Sequence, residues 1–180
     1  MTAIAGLVHD GAVHLAGDSA GVSGYSLTVR ADTKVFTNGP YVMGFTSSFR
    51  MGQLLRWSLE APHPAGDLEK FMATTFVDAV RTTLREGGWL VKNSEREDGG
   101  TFLVGTAGRL FTVSDDFQVG EAADGYAAIG CGHELVLGAL YATARGKKQP
   151  VDRLRIALEA AERFSAGVRG PFAFVSTDGT

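Results

Sequence analysis

The second residue of the chain could act both as a nucleophile and as a base. Thr2 follows Met1, so removal of the methionine would leave a free N-terminal threonine. Such a residue carries a hydroxyl group beside an α-amino group whose ordinary pKa is ~7.7–8.0. The amine can therefore accept the hydroxyl proton near neutral pH, and one residue fills both catalytic roles. A nearby cation would favour the deprotonated hydroxyl, and an acidic residue would position that cation.

Asp18 and Lys34 are the candidates for this acid and this cation. Asp18 follows the apolar segment 13–16, and Lys34 directly precedes Val35 and Phe36. Either residue alone could be a surface charge at the end of a strand. Lysine is scarce in this chain, however, and a lysine that borders an apolar segment is a candidate for a functional role.

The other reactive residues form no catalytic pattern of their own. The four histidines lack metal-ligand spacing, so no metal is expected. Gly130 and Gly132 indicate a tight strand-to-helix turn, but Leu135 stands where a dinucleotide-binding loop has its third glycine. The single cysteine, Cys131, is expected to be a small buried residue rather than a nucleophile. No cofactor is therefore predicted.

Turn residues and hydrophobic periodicity divide the chain into strands and helices. Two β-hairpins are predicted near the N-terminus, with turns at Asp10-Gly11 and Asn38-Gly39. The helical pattern 68–84 begins after Asp67, a suitable N-cap. The charged stretch 93–100 is expected to be a solvated loop. The strands 101–106 and 109–114 are predicted to form a third hairpin with its turn at Ala107-Gly108, and further strands cover 126–129 and 172–176. The remaining predicted helices cover about 49–59, 133–144 and the region from 150. This order predicts an α+β fold with antiparallel strands and segregated helices.

Composition limits the kind of protein that this chain can be. Its 180 residues are 44% hydrophobic with a net charge of −3, which is typical of one soluble domain, here 1–180. No apolar run approaches the ~18 residues of a membrane span, and no basic stripe suggests nucleic acid. Residues 1–8 carry no positive charge, so no signal peptide is expected and a cytoplasmic location is predicted.

Thr2, Asp18 and Lys34 together resemble the proteasome β-subunit family, in particular its bacterial HslV-like threonine peptidases. Asp18 lies 16 positions after Thr2 and Lys34 lies 32 positions after it, as in that family. The segment 128–132, Ala-Ile-Gly-Cys-Gly, is similar to the Ile-Gly-Ser-Gly turn of the family. The resemblance covers nearly the whole chain. It implies the N-terminal nucleophile hydrolase fold, a four-layer αββα sandwich with two antiparallel sheets between helix layers.

The resemblance also implies a mechanism and partners. Thr2 Oγ would attack a peptide carbonyl, Lys34 would lower the relevant pKa values, and Asp18 would orient Lys34. Identical subunits would form a ring or stacked rings around the site. An ATP-dependent unfoldase is an expected partner, and a peptide or an unfolded protein is the expected substrate.

The segment 44–47, Gly-Phe-Thr-Ser, stands where the family has its substrate loop. The resemblance implies that the backbone N–H near Ser47 stabilises the oxyanion and that Phe45 and Thr46 contact the substrate. Phe45 and Asp32 would line the first specificity pocket, and the charge of Asp32 would favour basic side chains.

Several positions depart from the family pattern, among them Ser47 and Ser48, which stand where the family has glycine in its substrate loop. Cys131 replaces the serine that assists the α-amine in the family, and His133 follows in the same turn, where it could add a hydrogen bond or simply begin the helix. Ser165 stands where proteasomes have an aspartate, and Val168 stands where they have a serine. These departures leave two alternatives to a threonine peptidase: a catalytically silent ring or scaffold subunit, and an N-terminal nucleophile amidase that acts on small amides.

Overall fold

The computed structural model describes residues 1–93 and 96–178, which contain thirteen strands and five α-helices. The strands are β1 Ile4–His9, β2 Ala12–Gly17, β3 Ala20–Ser23, β4 Ser26–Val29, β5 Val35–Asn38, β6 Tyr41–Phe45, β7 Val91–Asn93, β8 Arg96–Asp98, β9 Phe102–Thr106, β10 Arg109–Val113, β11 Val119–Glu121, β12 Tyr126–Ile129 and β13 Ala173–Ser176. The helices are α1 Phe49–Trp57, α2 Leu68–Phe71, α3 Val77–Glu86, α4 His133–Thr143 and α5 Pro150–Phe164. A π-helical segment, Met72–Phe76, joins α2 to α3.

Two antiparallel sheets form the centre of the molecule. One has the strand order β12-β1-β2-β13, and the other has the order β11-β10-β9-β6-β5. The predicted hairpins β1–β2, β5–β6 and β9–β10 are all present. At the first turn, Asp10 and Gly11 have φ values of 49° and 80°, the left-handed conformation that a two-residue hairpin turn requires.

Three hydrophobic clusters hold four layers together. Residues such as Ile4, Leu15 and Leu103 pack between the two sheets. The outer face of the five-stranded sheet packs against α1 and the π-helical and α3 segments, where Phe76 and Leu84 are buried. The outer face of the four-stranded sheet packs against α4 and α5. The structure is therefore the predicted αββα sandwich.

Three local predictions need correction. The β3–β4 hairpin was not predicted, because every residue of β4 is exposed and the strand has no buried face to give it a periodic pattern. The helix 68–84 contains a π-helical segment. The predicted loop at 93–100 is wrong at 93 and 96–98, because β7 pairs with β8 there; residues 94 and 95 lie outside the described residues. In the described part of the chain, no helix is long and apolar enough to cross a membrane.

Candidate active site

The register of the four-stranded sheet brings Thr2 and Asp18 together. β1 and β2 pair so that Ile4 lies opposite Gly17, which places the residues just before β1 beside those just after β2. Lys34 lies immediately before β5, a strand of the five-stranded sheet. A Cβ atom on Gly17 would lie 3.2 Å from Val35 Cγ1, so the absence of a side chain at Gly17 allows the two strands to approach closely.

The three predicted residues form one hydrogen-bonded chain. Lys34 Nζ donates to Thr2 Oγ1 at 3.0 Å and to Asp18 Oδ1 at 2.7 Å. The side chains of Asp18 and Lys34 are fully buried, and Thr2 is 5% exposed. A buried ion pair is tolerated only when its remaining polar atoms are also paired. The predicted grouping of these residues agrees with this geometry.

Backbone amides complete the environment of the Asp18 carboxylate. Ala3 N–H donates to Oδ1 at 3.0 Å, while the N–H groups of Ala20 and Arg169 donate to Oδ2 at 2.9 and 3.3 Å. These contacts fix the carboxylate, which in turn directs Lys34 toward Thr2. Sequence reasoning missed Arg169, because a backbone N–H supplied by a distant loop carries no signature of residue type.

Burial changes the proton affinity of the central lysine. Desolvation lowers the pKa of Lys34 below its ordinary value, and the charge and hydrogen bond of Asp18 oppose this shift without cancelling it. The ammonium group therefore loses its proton more readily than that of an exposed lysine. Such a group can donate to, or exchange a proton with, the hydroxyl that it contacts.

The turn between β12 and α4 lies against the backbone of Thr2. Gly130 has a φ of 92°, and a Cβ atom there would lie 2.2 Å from the Thr2 carbonyl oxygen. Gly132 N–H donates weakly to that same oxygen at 3.4 Å. Only glycine at position 130 allows this close approach of the two backbone segments.

Cys131 belongs to the site rather than to the core. Its Sγ accepts a hydrogen bond from Thr2 N at 3.3 Å and donates to the Thr2 carbonyl oxygen at 3.4 Å. The prediction of a buried cysteine was wrong, because the turn leaves the residue exposed. Ser165 Oγ lies 3.7 Å from Cys131 Sγ, so Ser165 reaches Thr2 only through the thiol. His133 begins α4, and its Nδ1 lies 2.8 Å from the Gly130 carbonyl oxygen rather than beside Thr2.

A small cavity of about 80 Å³ opens beside Thr2 and contains the predicted substrate loop. Phe45, Thr46 and Ser47 all line it. Thr46 N–H is engaged by the Thr101 carbonyl at 3.1 Å. Ser47 has a φ of 68°, and within residues 1–93 and 96–178 its N–H makes no hydrogen bond. This free amide is a suitable donor for an anion that forms at a carbonyl held near Thr2.

The comparisons with known proteins give matches only among solved structures: no family model and no curated protein matches the chain. BPH from Thiobacillus denitrificans superposes with a TM-score of 0.82 at 20% identity over 97% of each chain. Eukaryotic HslV from Trypanosoma brucei gives a TM-score of 0.71 at 19% identity over 97% of this chain and 98% of its own. The chain has the fold of HslV. Anbu from Hyphomicrobium sp. strain MC1, as a Gly-1 mutant, gives a TM-score of 0.68 at 15% identity over 97% of this chain and 80% of its own.

Within this HslV fold, the first residue of the chain contacts the Thr2 hydroxyl. Thr2 Oγ1 donates to the Met1 carbonyl oxygen at 2.5 Å, and the Met1 side chain is largely exposed at the rim of the cavity. With Met1 in place, the nitrogen of Thr2 is a backbone amide and cannot act as a base. Removal of Met1 would turn that nitrogen into an amine at the same position.

The acidic residue expected in the specificity pocket of this HslV fold is already paired. Both carboxylate oxygens of Asp32 accept hydrogen bonds from Arg30 at 2.7 Å. Hydrogen bonding from Arg30 lowers the pKa of Asp32, so the carboxylate remains charged while its charge is balanced by Arg30. This pairing removes the reason to expect a preference for basic side chains. In the described part of the chain, no three His, Cys, Asp or Glu side chains are grouped as a metal site would require.

Proposed function

We propose that this chain is a threonine peptidase of the proteasome β-subunit family, with Thr2 as its nucleophile once Met1 is removed. The observation that carries the proposal is the buried contact of Lys34 Nζ with both Thr2 Oγ1 and Asp18. A buried lysine with a lowered pKa beside a hydroxyl at the edge of a cavity is an arrangement that activates a nucleophile.

The reaction follows from these positions. Thr2 Oγ attacks the peptide carbonyl carbon while the freed α-amine accepts the hydroxyl proton. Lys34 stabilises the negative charge that develops on Oγ, and Asp18 keeps Lys34 in place. The carbonyl oxygen becomes an oxyanion that accepts a hydrogen bond from Ser47 N–H, a kind of contact worth ~2.7–4 kcal/mol in other hydrolases. The protonated amine then gives its proton to the leaving amine, and an ester with Thr2 remains.

Water completes the cycle by the same chemistry in reverse. The α-amine accepts a proton from a water molecule, which attacks the ester carbon, and the proton returns to Thr2 Oγ as the acid product leaves. Cys131 holds the nitrogen of Thr2 during both halves, through the hydrogen bond between that nitrogen and Sγ. No group beyond the chain and water is needed.

We further propose that identical subunits enclose this site in a ring in the cytoplasm, with an ATP-dependent unfoldase supplying unfolded protein. The shared fold with HslV supports this assembly. BPH, which shares the fold, has been solved in complex with epoxomicin, and this supports peptide epoxyketones as probes of the present site.

Hydrolysis by Thr2 variants tests the proposal. A mixed panel of fluorogenic peptides and small amides is incubated with the assembled protein and with its T2A, T2S and T28A variants. Thr28 is exposed on β4 and serves as the matched control. We expect T2A to lower peptide hydrolysis to background, T2S to retain part of it and T28A to match the unmodified protein. Turnover by T2A at the rate of the unmodified protein would overturn the proposal, and hydrolysis of small amides alone would favour an amidase.

A further inference from the structure

Two aromatic residues separate the cavity beside Thr2 from a second cavity. Phe45 and Phe49 line both spaces. The cavity beside Thr2 measures about 80 Å³, and the second measures about 140 Å³. The second cavity extends away from Thr2 toward Arg56 and Trp57. The two rings are therefore a wall between the nucleophile and a larger space.

The first ring of this wall is fixed by close packing. Phe45 is 5% exposed, and a Cβ atom on Gly52 would lie 2.2 Å from its ring, so the ring lies directly against the backbone of α1. Phe45 and Phe49 meet edge to face, with 5.6 Å between ring centroids and an angle of 81°. This geometry is a favourable one for an aromatic pair.

The second ring is fixed by a charged residue. The Arg30 guanidinium lies over the Phe49 ring, 3.8 Å from its centroid, and its other partner is the Asp32 carboxylate, which it contacts through two hydrogen bonds. Cation–π contact and a bidentate ion pair both restrict a guanidinium to one orientation. Arg30, itself held by Asp32, therefore keeps the Phe49 ring in its position in the wall.

We propose that Phe45 and Phe49 limit the depth of the substrate pocket, so that this chain cleaves after small uncharged side chains and rejects aromatic and basic ones. The inference rests on the proposed peptidase function. A cavity of ~150 Å³ accommodates benzene, and the cavity beside Thr2, with Met1 still at its rim, is about half that size. Removal of Met1 would open the rim but would leave Phe45 and Phe49 at the other side of the cavity. Besides Met1, its other hydrophobic lining residues are Ala20 and Val22, and in the described part of the chain no charged side chain lines it.

The same geometry assigns a clear effect to each residue of the wall. Truncation of Phe49 joins the two cavities into a space large enough for an aromatic ring. Loss of Arg30 removes the contact that restricts Phe49 and relaxes the selection without opening the wall fully. Arg30 and Phe49 are therefore specificity-determining residues, and neither takes part in the chemistry at Thr2.

The test measures kcat/KM for four peptides that differ only in the residue before the cleaved bond: alanine, valine, phenylalanine or arginine. The unmodified protein is compared with F49A, F49L and R30Q, and with F164A as a control for removal of an exposed aromatic ring. We expect the unmodified protein and F164A to prefer alanine over phenylalanine by at least about tenfold. F49A should raise kcat/KM for the phenylalanine peptide about tenfold or more, with smaller gains in F49L and R30Q.

Each variant is also tested by thermal unfolding, so that a misfolded variant is recognised. Labelling with a peptide epoxyketone that carries alanine beside the ketone is measured as well. If F49A fails to fold, the inference is tested by kcat/KM for the phenylalanine peptide in F49L and R30Q, which should exceed that of the unmodified protein. Labelling of the unmodified protein together with a preference for phenylalanine or arginine would overturn the inference and leave the proposed function intact. Absence of both labelling and cleavage would overturn the two together.

Discussion

Two regions of different character meet at Thr2. On one side lie Asp18 and Lys34, which are buried between the sheets and joined by short hydrogen bonds. On the other side lies the turn 130–132, whose cysteine is exposed and contacts Thr2 through longer bonds to sulfur. The buried side can set the charge at the hydroxyl, whereas the turn can only position the nitrogen and the carbonyl group of the same residue.

The buried charged pair and the exposed turn differ in how well they tolerate substitution. Three backbone N–H groups and Lys34 surround the Asp18 carboxylate, so a change there leaves a buried charge without its partner. The thiol of Cys131 makes hydrogen bonds that a hydroxyl could also make, because both groups donate and accept. The turn is therefore where this chain departs from the family pattern without disturbing the charged centre.

The largest effect is expected from removal of the buried cation. K34M leaves the Asp18 carboxylate buried and uncompensated, so we expect a loss of about 3–5 kcal/mol in the free energy of unfolding, together with hydrolysis at background. Urea unfolding and peptide assays measure the two quantities. K70M, at an exposed position, should change neither. A K34M variant that is destabilised by less than about 1 kcal/mol would contradict the description of a tightly paired centre.

A pair of glycines tests the backbone contact of the turn. Gly130 and Gly11 both have positive φ, but a Cβ atom meets the Thr2 carbonyl at Gly130 and open space at Gly11. G11A should cost about 1 kcal/mol from strain alone. G130A should cost about 1–3 kcal/mol more, because the new atom overlaps Thr2, and it should lower hydrolysis strongly. Equal stability and activity in the two variants would show that the turn is not in close contact with the Thr2 backbone.

Substitution of Cys131 should have a moderate effect confined to activity. Loss of one hydrogen bond costs ~0.5–1.5 kcal/mol, which corresponds to about two- to tenfold in rate when the bond is made in the transition state. We therefore expect C131A to lower kcat/KM up to about tenfold and C131S to stay within about threefold of the unmodified protein. Because the residue is exposed, unfolding should change by less than about 1 kcal/mol. Activity lost equally in both variants would argue against a role through hydrogen bonding.

The smallest expected effect concerns His14, a buried residue on the same strand that leads to Asp18. Burial lowers its pKa, with opposing influence from Asp178, and within the described residues its Nδ1 has no hydrogen-bond partner. The unfolded chain binds this proton more readily than the folded one, so stability should fall as pH drops below ~6.5. Urea unfolding between pH 7 and 5.5 should show this slope in the unmodified protein and in H63Q, but not in H14L. A slope that persists in H14L would assign it to another group.

Much of the architecture follows from local signals in the sequence. Glycine-containing turns correctly predicted three hairpins, and helical periodicity predicted the helices that cover both sheets. The register of the predicted β1–β2 hairpin places Thr2, just before β1, beside Asp18, just after β2. Lys34 precedes a strand of the other sheet, and it was grouped with them through the resemblance to the proteasome β-subunit family. These features depend on turn chemistry and strand register, which a sequence displays directly.

Other features depend on contacts between distant segments and carry no local signal. The pairing of β12 with β1 and of β13 with β2 joins opposite ends of the chain. The exposure of Cys131 results from the way the turn lies over Thr2, and residue type alone suggested burial. The stacking of Arg30 on Phe49 depends on how the loop after β4 meets α1.

The most direct test of the central claim is an intact mass spectrum of the assembled protein after exposure to the alanine epoxyketone. This warhead reacts only where one N-terminal residue presents both a hydroxyl and a free amine. We predict a mass that lacks Met1 and carries one inhibitor, and no inhibitor on T2A. A mass that retains Met1, or lacks it but gains no inhibitor, would contradict the claim and favour a catalytically silent subunit of the same fold.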